Sequence, residues 1–132
     1  MEQAVMVAGI GCRKGVSSAE ILAALDAALS AHGLARTQID ALASLPQKRG
    51  EPALADVASL LQRPLILADE TALEATKKTI LTRSKASLAA TGHGSVAEAA
   101  ALAVAGPAAR LLGPRIAAGP ATCAIAYAEA QP

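Results

Sequence analysis

Two short segments of this chain combine glycine turns with groups that could hold a ligand. The first is Gly9-Ile10-Gly11-Cys12-Arg13-Lys14-Gly15. Glycines lack a Cβ and let backbone come close to a ligand. Free amides at a following helix start would favour an anion, and Arg13 and Lys14 add positive charge. The loop fits no nucleotide signature. A dinucleotide fingerprint needs G-x-G-x-x-G, and a phosphate loop needs G-x-x-x-x-G-K-[ST]. The second segment is Thr91-Gly92-His93-Gly94-Ser95-Val96-Ala97-Glu98, which offers hydroxyl and amide donors and one imidazole. His93 has no catalytic partner nearby in sequence and reads as a solvated loop residue. Glu98 stands three residues after Ser95 and reads as the second half of a capping box.

Two further places carry weaker signals. Lys48-Arg49-Gly50-Glu51 follows a predicted strand, and open α/β sheets bind ligands at the carboxyl ends of their strands. Without more context it reads as a charged surface turn. Cys12 lies beside Arg13 and Lys14, which could lower its thiol pKa and make it a nucleophile. No His or Asp adjoins it to complete such a mechanism. Cys123, within Ala121-Thr122-Cys123-Ala124-Ile125-Ala126, reads as a packed core thiol. No His, Cys, Asp and Glu cluster has metal-ligand spacing, and no metal or cofactor is expected.

The elements that would position these residues are legible as patterns. Ala4 to Ile10 is a short apolar run ended by glycines, as in a buried strand. Ser17 to His32 has helical periodicity at Ile21, Leu22, Leu25, Ala28 and Leu29. Ser17 and Glu20 form a capping box at its start, and Gly33 closes it. Ile39 to Leu45 predicts a second strand and Pro46 to Gly50 a polar turn. Pro52 opens a second helix, and Leu65 to Ala68 predicts a third strand. Asp69 or Thr71 would cap a short helix through Thr76, whereas Lys77 to Arg83 has no clear pattern. Ser84 to Thr91 predicts one or two helical turns closed by Gly92. Ser95 to Ala105 has the plainest helical pattern. Arg110 to Ile116 and Ala121 to Ala128 predict two strands joined as a hairpin by Ala117-Ala118-Gly119-Pro120.

This order predicts an α/β protein, a three-layer α/β/α sandwich. Its sheet would be mixed and mostly parallel, of about five strands, with a C-terminal antiparallel hairpin and early helices on both faces. All 132 residues are expected to form one domain. Hydrophobic residues make up 53% and charged residues 17%, which excludes a disordered chain. A net charge of +1 with one Tyr and no Phe or Trp excludes a basic, base-stacking nucleic-acid surface. No apolar run reaches the roughly 18 residues of a membrane span. Met1 to Ile10 has no basic stretch of a signal peptide, and the two cysteines read as free thiols. A cytoplasmic location is expected.

The blocks, in their order, carry a family resemblance. They are Gly9 through Gly15, Lys48 with Glu51, Thr91-Gly92 followed by Ser95-Val96-Ala97-Glu98-Ala99-Ala100-Ala101-Leu102, and Ala121 through Ala126. In these the chain resembles the CobE family, which is similar to the C-terminal domain of the cobalt-precorrin-5A hydrolase, CbiG. The resemblance implies the three-layer fold and a role in corrin-ring assembly in cobalamin biosynthesis. The hydrolase activity does not transfer, because nothing here corresponds to that enzyme's N-terminal part. The implied partner is a precorrin or hydrogenobyrinic acid-type intermediate, carried or presented by the protein. The candidate ligand-binding residues are Gly11, Cys12, Arg13, Gly15, Lys48, Thr91, Gly92 and Ser95, with Arg115 as a further donor. No catalytic residue is assigned. Two other readings stay open: an enzyme acting on the ring through Cys12 or Lys48, and a docking module for a precorrin methyltransferase.

Overall fold

The computed structural model describes residues 5–129. Ala4, the expected start of the first strand, lies outside them. The strands are β1 (Val5–Cys12), β2 (Ala41–Ser44), β3 (Leu65–Leu67), β4 (Arg110–Leu111), β5 (Ile116–Ala118) and β6 (Ala121–Ala128). The helices are α1 (Ser18–Ala31), α2 (Pro52–Leu61), α3 (Glu70–Ala75), α4 (Lys85–Thr91) and α5 (Val96–Ala105). The sheet order is β3-β2-β1-β6-β4, with β5 also paired to β6. β1, β2 and β3 pair in parallel. β6 runs against β1, and β4 and β5 run against β6. Among the described residues five strands therefore point the same way and β6 opposes them.

The layers follow from handed crossovers. β1-α1-β2-α2-β3 steps twice in the same direction across the sheet, and crossovers of one hand put both helices on one face. α1 and α2 accordingly share a core with Ala8, Ile10, Leu42, Cys123 and Ile125. The early helices do not cover both faces, as the sequence pattern suggested. The other face is closed by α5 with α3, over Leu45, Ala126 and the small cluster of Val7, Ala43 and Ala100. Alternate residues of β1 thus serve opposite layers, as the pleat requires.

Two local features correct the sequence reading and shape the site. β1 continues through Gly11 and Cys12, because β6 pairs with it as far as Cys12↔Ala121. The turn is therefore confined to Arg13–Gly15. The strand expected over Arg110–Ile116 is split into β4 and β5. Pro114 cannot donate to a ladder, and Gly113–Arg115 bulges away after the Leu112 amide has made its bond to the Ile125 carbonyl of β6 at 2.9 Å. The hairpin turn is Gly119-Pro120 alone, shorter than expected, because Ala117 and Ala118 belong to β5 and pair with Thr122 and Ala121.

Candidate functional site

The carboxyl ends of β1 and β2 open into a cleft with two lobes. One lobe, of about 310 Å³, is bounded by Gly11, Arg13, Ser87, Arg115 and Thr122 among others. The other, of about 430 Å³, is bounded by Lys14, Leu45, Gln47 and Lys48. Cys12, Arg13, Thr91 and Val96 line both and form the seam. Each lobe is within the ~300–1,000 Å³ range of small-molecule sites. A second hollow of about 240 Å³ between α3 and α5, walled by Ala72, Ala75, Leu102 and Ala103, has no charged lining residue among the described ones.

Elements from distant parts of the chain build this cleft. The floor is the end of β1, where glycines have a packing role. A Cβ on Gly9 would strike the carbonyl oxygen of Ala97 and lie 2.7 Å from the Ala101 amide nitrogen. A Cβ on Gly11 would lie 2.7 Å from Thr122 Oγ1. These glycines let α5 lie directly on the strand, so Gly9 serves helix packing rather than ligand approach. Lys48 sits in the 3₁₀ turn Pro46–Gly50 that follows β2. Arg115 comes from the bulge between β4 and β5. The outer wall is α4, an exposed seven-residue helix capped by Ser84, whose side chain accepts from the Ser87 amide. The Ser84 amide donates to the Gly94 carbonyl at 2.8 Å, so the two ends of the α4 segment meet.

Glu98 organises this wall, and the sequence reading missed it. Its carboxylate is fully buried. It accepts from the Leu81 amide at 2.5 Å, the Thr82 amide at 2.8 Å, the Thr82 hydroxyl at 2.6 Å and the Arg115 amide at 2.9 Å. Ser95 does cap α5, accepting from the Glu98 amide at 3.3 Å. The Glu98 side chain does not return the bond, so the expected capping box is only half made. The one signal in the sequence is an acid set inside the otherwise apolar run Val96–Leu102.

His93 is also not the solvated residue expected. It is 3% exposed. Its Nε2 lies 3.7 Å from Glu70, and its Nδ1 has no hydrogen-bond partner among the described residues. The glycines on either side allow the chain to turn inward there; Gly92 has φ +80°.

Of the candidate residues, Gly11, Cys12, Arg13, Lys48 and Thr91 line the cleft. Ser95 lies buried behind it. Gly92 lines an adjoining hollow on the other side of α4. Gly15 is not a lining residue. It takes φ +81° in the turn, and its amide donates to Glu51 at 3.4 Å. The start of α1 is likewise outside the cleft, its amides served by the Ser17 and Glu20 capping box.

The chemistry of the cleft is that of donors. Among the described residues four cations line it, Arg13, Lys14, Lys48 and Arg115, and none of those lining it is Asp, Glu or His. None of the four has an acidic ion-pair partner among the described residues. Cys12 is not an activated thiol. Burial pushes its pKa up, outweighing the lowering by Lys48, and Glu51 pushes it up further. The protonated form is therefore favoured, contrary to the lowering expected from Arg13 and Lys14. No group of three or more His, Cys, Asp and Glu side chains suited to a metal occurs among the described residues.

The family described as cobalamin synthesis G C-terminus matches residues 6–126. Protein CobE of Sinorhizobium sp. is 34% identical over 121 residues, 92% of this chain and 79% of that protein. The structure superposes with a TM-score of 0.89 on the crystal structure of CobE, a protein from the cobalamin (vitamin B12) biosynthetic pathway. That pair shares 38% identity over 98% of this chain and 94% of the other. Cobalamin biosynthesis protein chiG from Agrobacterium tumefaciens gives a TM-score of 0.72 at 48% identity, over 92% of this chain and 97% of the other. A cobalamin biosynthesis protein G homologue from Sulfolobus solfataricus gives 0.67 at 26% identity. It is matched over 96% of this chain but 38% of its own length.

Proposed function

The chain belongs to the cobalamin synthesis G C-terminus family, and from that membership we propose that it binds a corrin-ring intermediate as a carrier or accessory protein. Its general role is in cobalamin biosynthesis. The observation that carries the finer reading is the two-lobed cleft, lined by four cations and, among the described residues, by no acid. A precorrin is a broad apolar macrocycle fringed with acetates and propionates. Val96, Leu45 and Pro120 offer it apolar contact. The cations offer charge-assisted hydrogen bonds, and arginine can grip a carboxylate with two. Gly11, Cys12, Arg13, Lys48, Thr91 and Arg115 would touch the ligand. Gly15, Gly92 and Ser95 would act by setting the turns and the helix start. The protein would work in the cytoplasm as one domain, and no helix among the described residues is long and apolar enough to cross a membrane.

Binding without turnover is favoured over catalysis by the state of Cys12, whose thiol is shifted away from ionisation. The test is an absorbance titration with hydrogenobyrinic acid. A saturable spectral shift is expected, with Arg13→Ala weakening affinity about tenfold, the worth of one charge-assisted contact. Absence of any shift would overturn corrinoid binding and favour docking to a pathway methyltransferase. Product formation abolished by Cys12→Ala would overturn the non-catalytic role.

A further inference from the structure

The side of α4 turned away from the cleft has a chemistry of its own, and it does not depend on what the cleft holds. Between Glu74 and Glu98 the chain has no acid, yet it carries Lys77, Lys78, Arg83 and Lys85. The whole chain has a net charge of only +1, so positive charge is concentrated locally here. The loop after α3 and the start of α4 fold this stretch around a hollow of about 160 Å³, bordered by Lys77, Ile80, Arg83, Lys85, Leu88 and Gly92 among others. None of its described lining residues is an acid. Ile80 is buried, whereas Leu88 is 55% exposed. Lys77 is paired with Glu74 at 2.9 Å, and Arg83 donates to the Lys77 carbonyl at 3.2 Å. Lys78, Arg83 and Lys85 have no acidic ion-pair partner among the described residues. The hollow is thus an apolar recess with a cationic rim.

Size, shape and charge select the occupant. The volume is well below the ~300–1,000 Å³ of small-molecule sites and suits a single apolar side chain. A membrane surface receives a projecting apolar face, not a hollow. Nucleic-acid bases stack on aromatic platforms, and the chain has one Tyr and no Phe or Trp. Protein interfaces, by contrast, concentrate their energy in an anchor side chain that fills a pocket inside a polar rim, and complementary charge steers the partner to it. We infer that this face docks an acidic segment of a partner protein. That segment seats one large apolar side chain between Ile80 and Leu88 and lays its carboxylates against Arg83 and Lys85. Ser84 borders both this hollow and the cleft, so the docked partner sits against the outer wall of the cleft.

The experiment measures binding of labelled peptides to the full chain by fluorescence anisotropy. The probe is a glutamate-rich peptide with one central leucine, and the control has serine in its place. The leucine peptide should bind with a Kd below about 1 mM. The serine peptide should bind at least about tenfold more weakly, the worth of one buried apolar side chain. Leu88→Ser should erase most of that difference. Arg83→Glu and Lys85→Glu should each weaken binding about threefold to tenfold and flatten its salt dependence. All three positions are exposed, so the variants should fold normally. Lys14→Glu, in the cleft, should leave the peptide affinity unchanged. Equal binding of the two peptides would overturn the inference, as would a loss in Lys14→Glu as large as that in Lys85→Glu, which would place the probe in the cleft. Binding to phosphatidylserine vesicles without binding to the peptide would assign the face to a membrane instead.

Discussion

The starts of α1 and α5 carry the same local signature, Ser-x-x-Glu after a glycine-containing turn, and the fold uses them differently. At α1, Ser17 Oγ accepts from the Glu20 amide at 3.1 Å and Glu20 accepts from the Ser17 amide at 2.9 Å. That box is exposed and closed on itself. At α5 only the serine half forms, and Glu98 turns its carboxylate to Leu81, Thr82 and Arg115. The helix with the complete box has no exposed work at its start. The helix with the broken box anchors two walls of the cleft. A capping motif therefore specifies a helix start but leaves its acid available for tertiary use wherever other donors come within reach.

The sharpest test of this contrast is to remove each acid. Glu98→Ala leaves the Leu81, Thr82 and Arg115 amides and the Thr82 hydroxyl without their acceptor. Buried unpaired donors cost about 1–3 kcal/mol each. With water admitted to some of them, a net loss of about 3 kcal/mol is expected in urea unfolding. Glu20→Ala should cost about 0.5 kcal/mol, as for one exposed capping contact. Equal losses would mean that Glu98 is only a cap.

The glycines extend the comparison at a smaller scale. Gly9→Ala drives a methyl group into the α5 backbone, an overpacking cost of about 1–3 kcal/mol. Gly15→Ala meets no atom within 4 Å and bears only the cost of φ +81°, about 1–2 kcal/mol. Thermal or urea unfolding of both variants ranks them. A milder Gly9→Ala would show that α5 can lift from β1 at little cost.

The two thiols, one in the core under α1 and one in the cleft, have the smallest effects at neutral pH. Burial pushes Cys123 up to about 12 from an ordinary value of 9.0. The folded chain then keeps a proton that the unfolded chain releases. Stability should therefore be unaffected below pH 9 and fall as pH rises from about 9 toward 12. Cys123→Ala should remove that part of the decline. Cys12 should alkylate more slowly than a free thiol at pH 8. Lys48→Ala should slow it again, since Lys48 is the neighbour that lowers its pKa. Faster alkylation in that variant would contradict the placement of Lys48 beside Cys12.

Local physics made much of the protein legible before any coordinates. Ser17, Glu20 and Gly33 mark the ends of α1 because capping depends on residues within one turn. Pro52 opens α2, Ser84 and Gly92 bound α4, and Ser95 starts α5 for the same reason. The apolar runs at Val5–Ile10 and Ala121–Ala128 reveal strands because both faces of this sheet are covered. The order and spacing of the glycine blocks were enough to suggest the family. Tertiary structure alone decided which strands pair, that α1 and α2 share a face, and that Pro114 divides the last edge into β4 and β5. It also decided what the singled-out side chains do. Gly9 seats a helix, His93 turns inward, Glu98 leaves its cap, and Lys48 meets Arg13 and Arg115 across one cleft. These outcomes depend on partners tens of residues away in sequence. Hydrogen-bond donors, burial and charge act through space, and the short-range pattern of a chain does not record which distant groups the sheet will bring within a few ångströms.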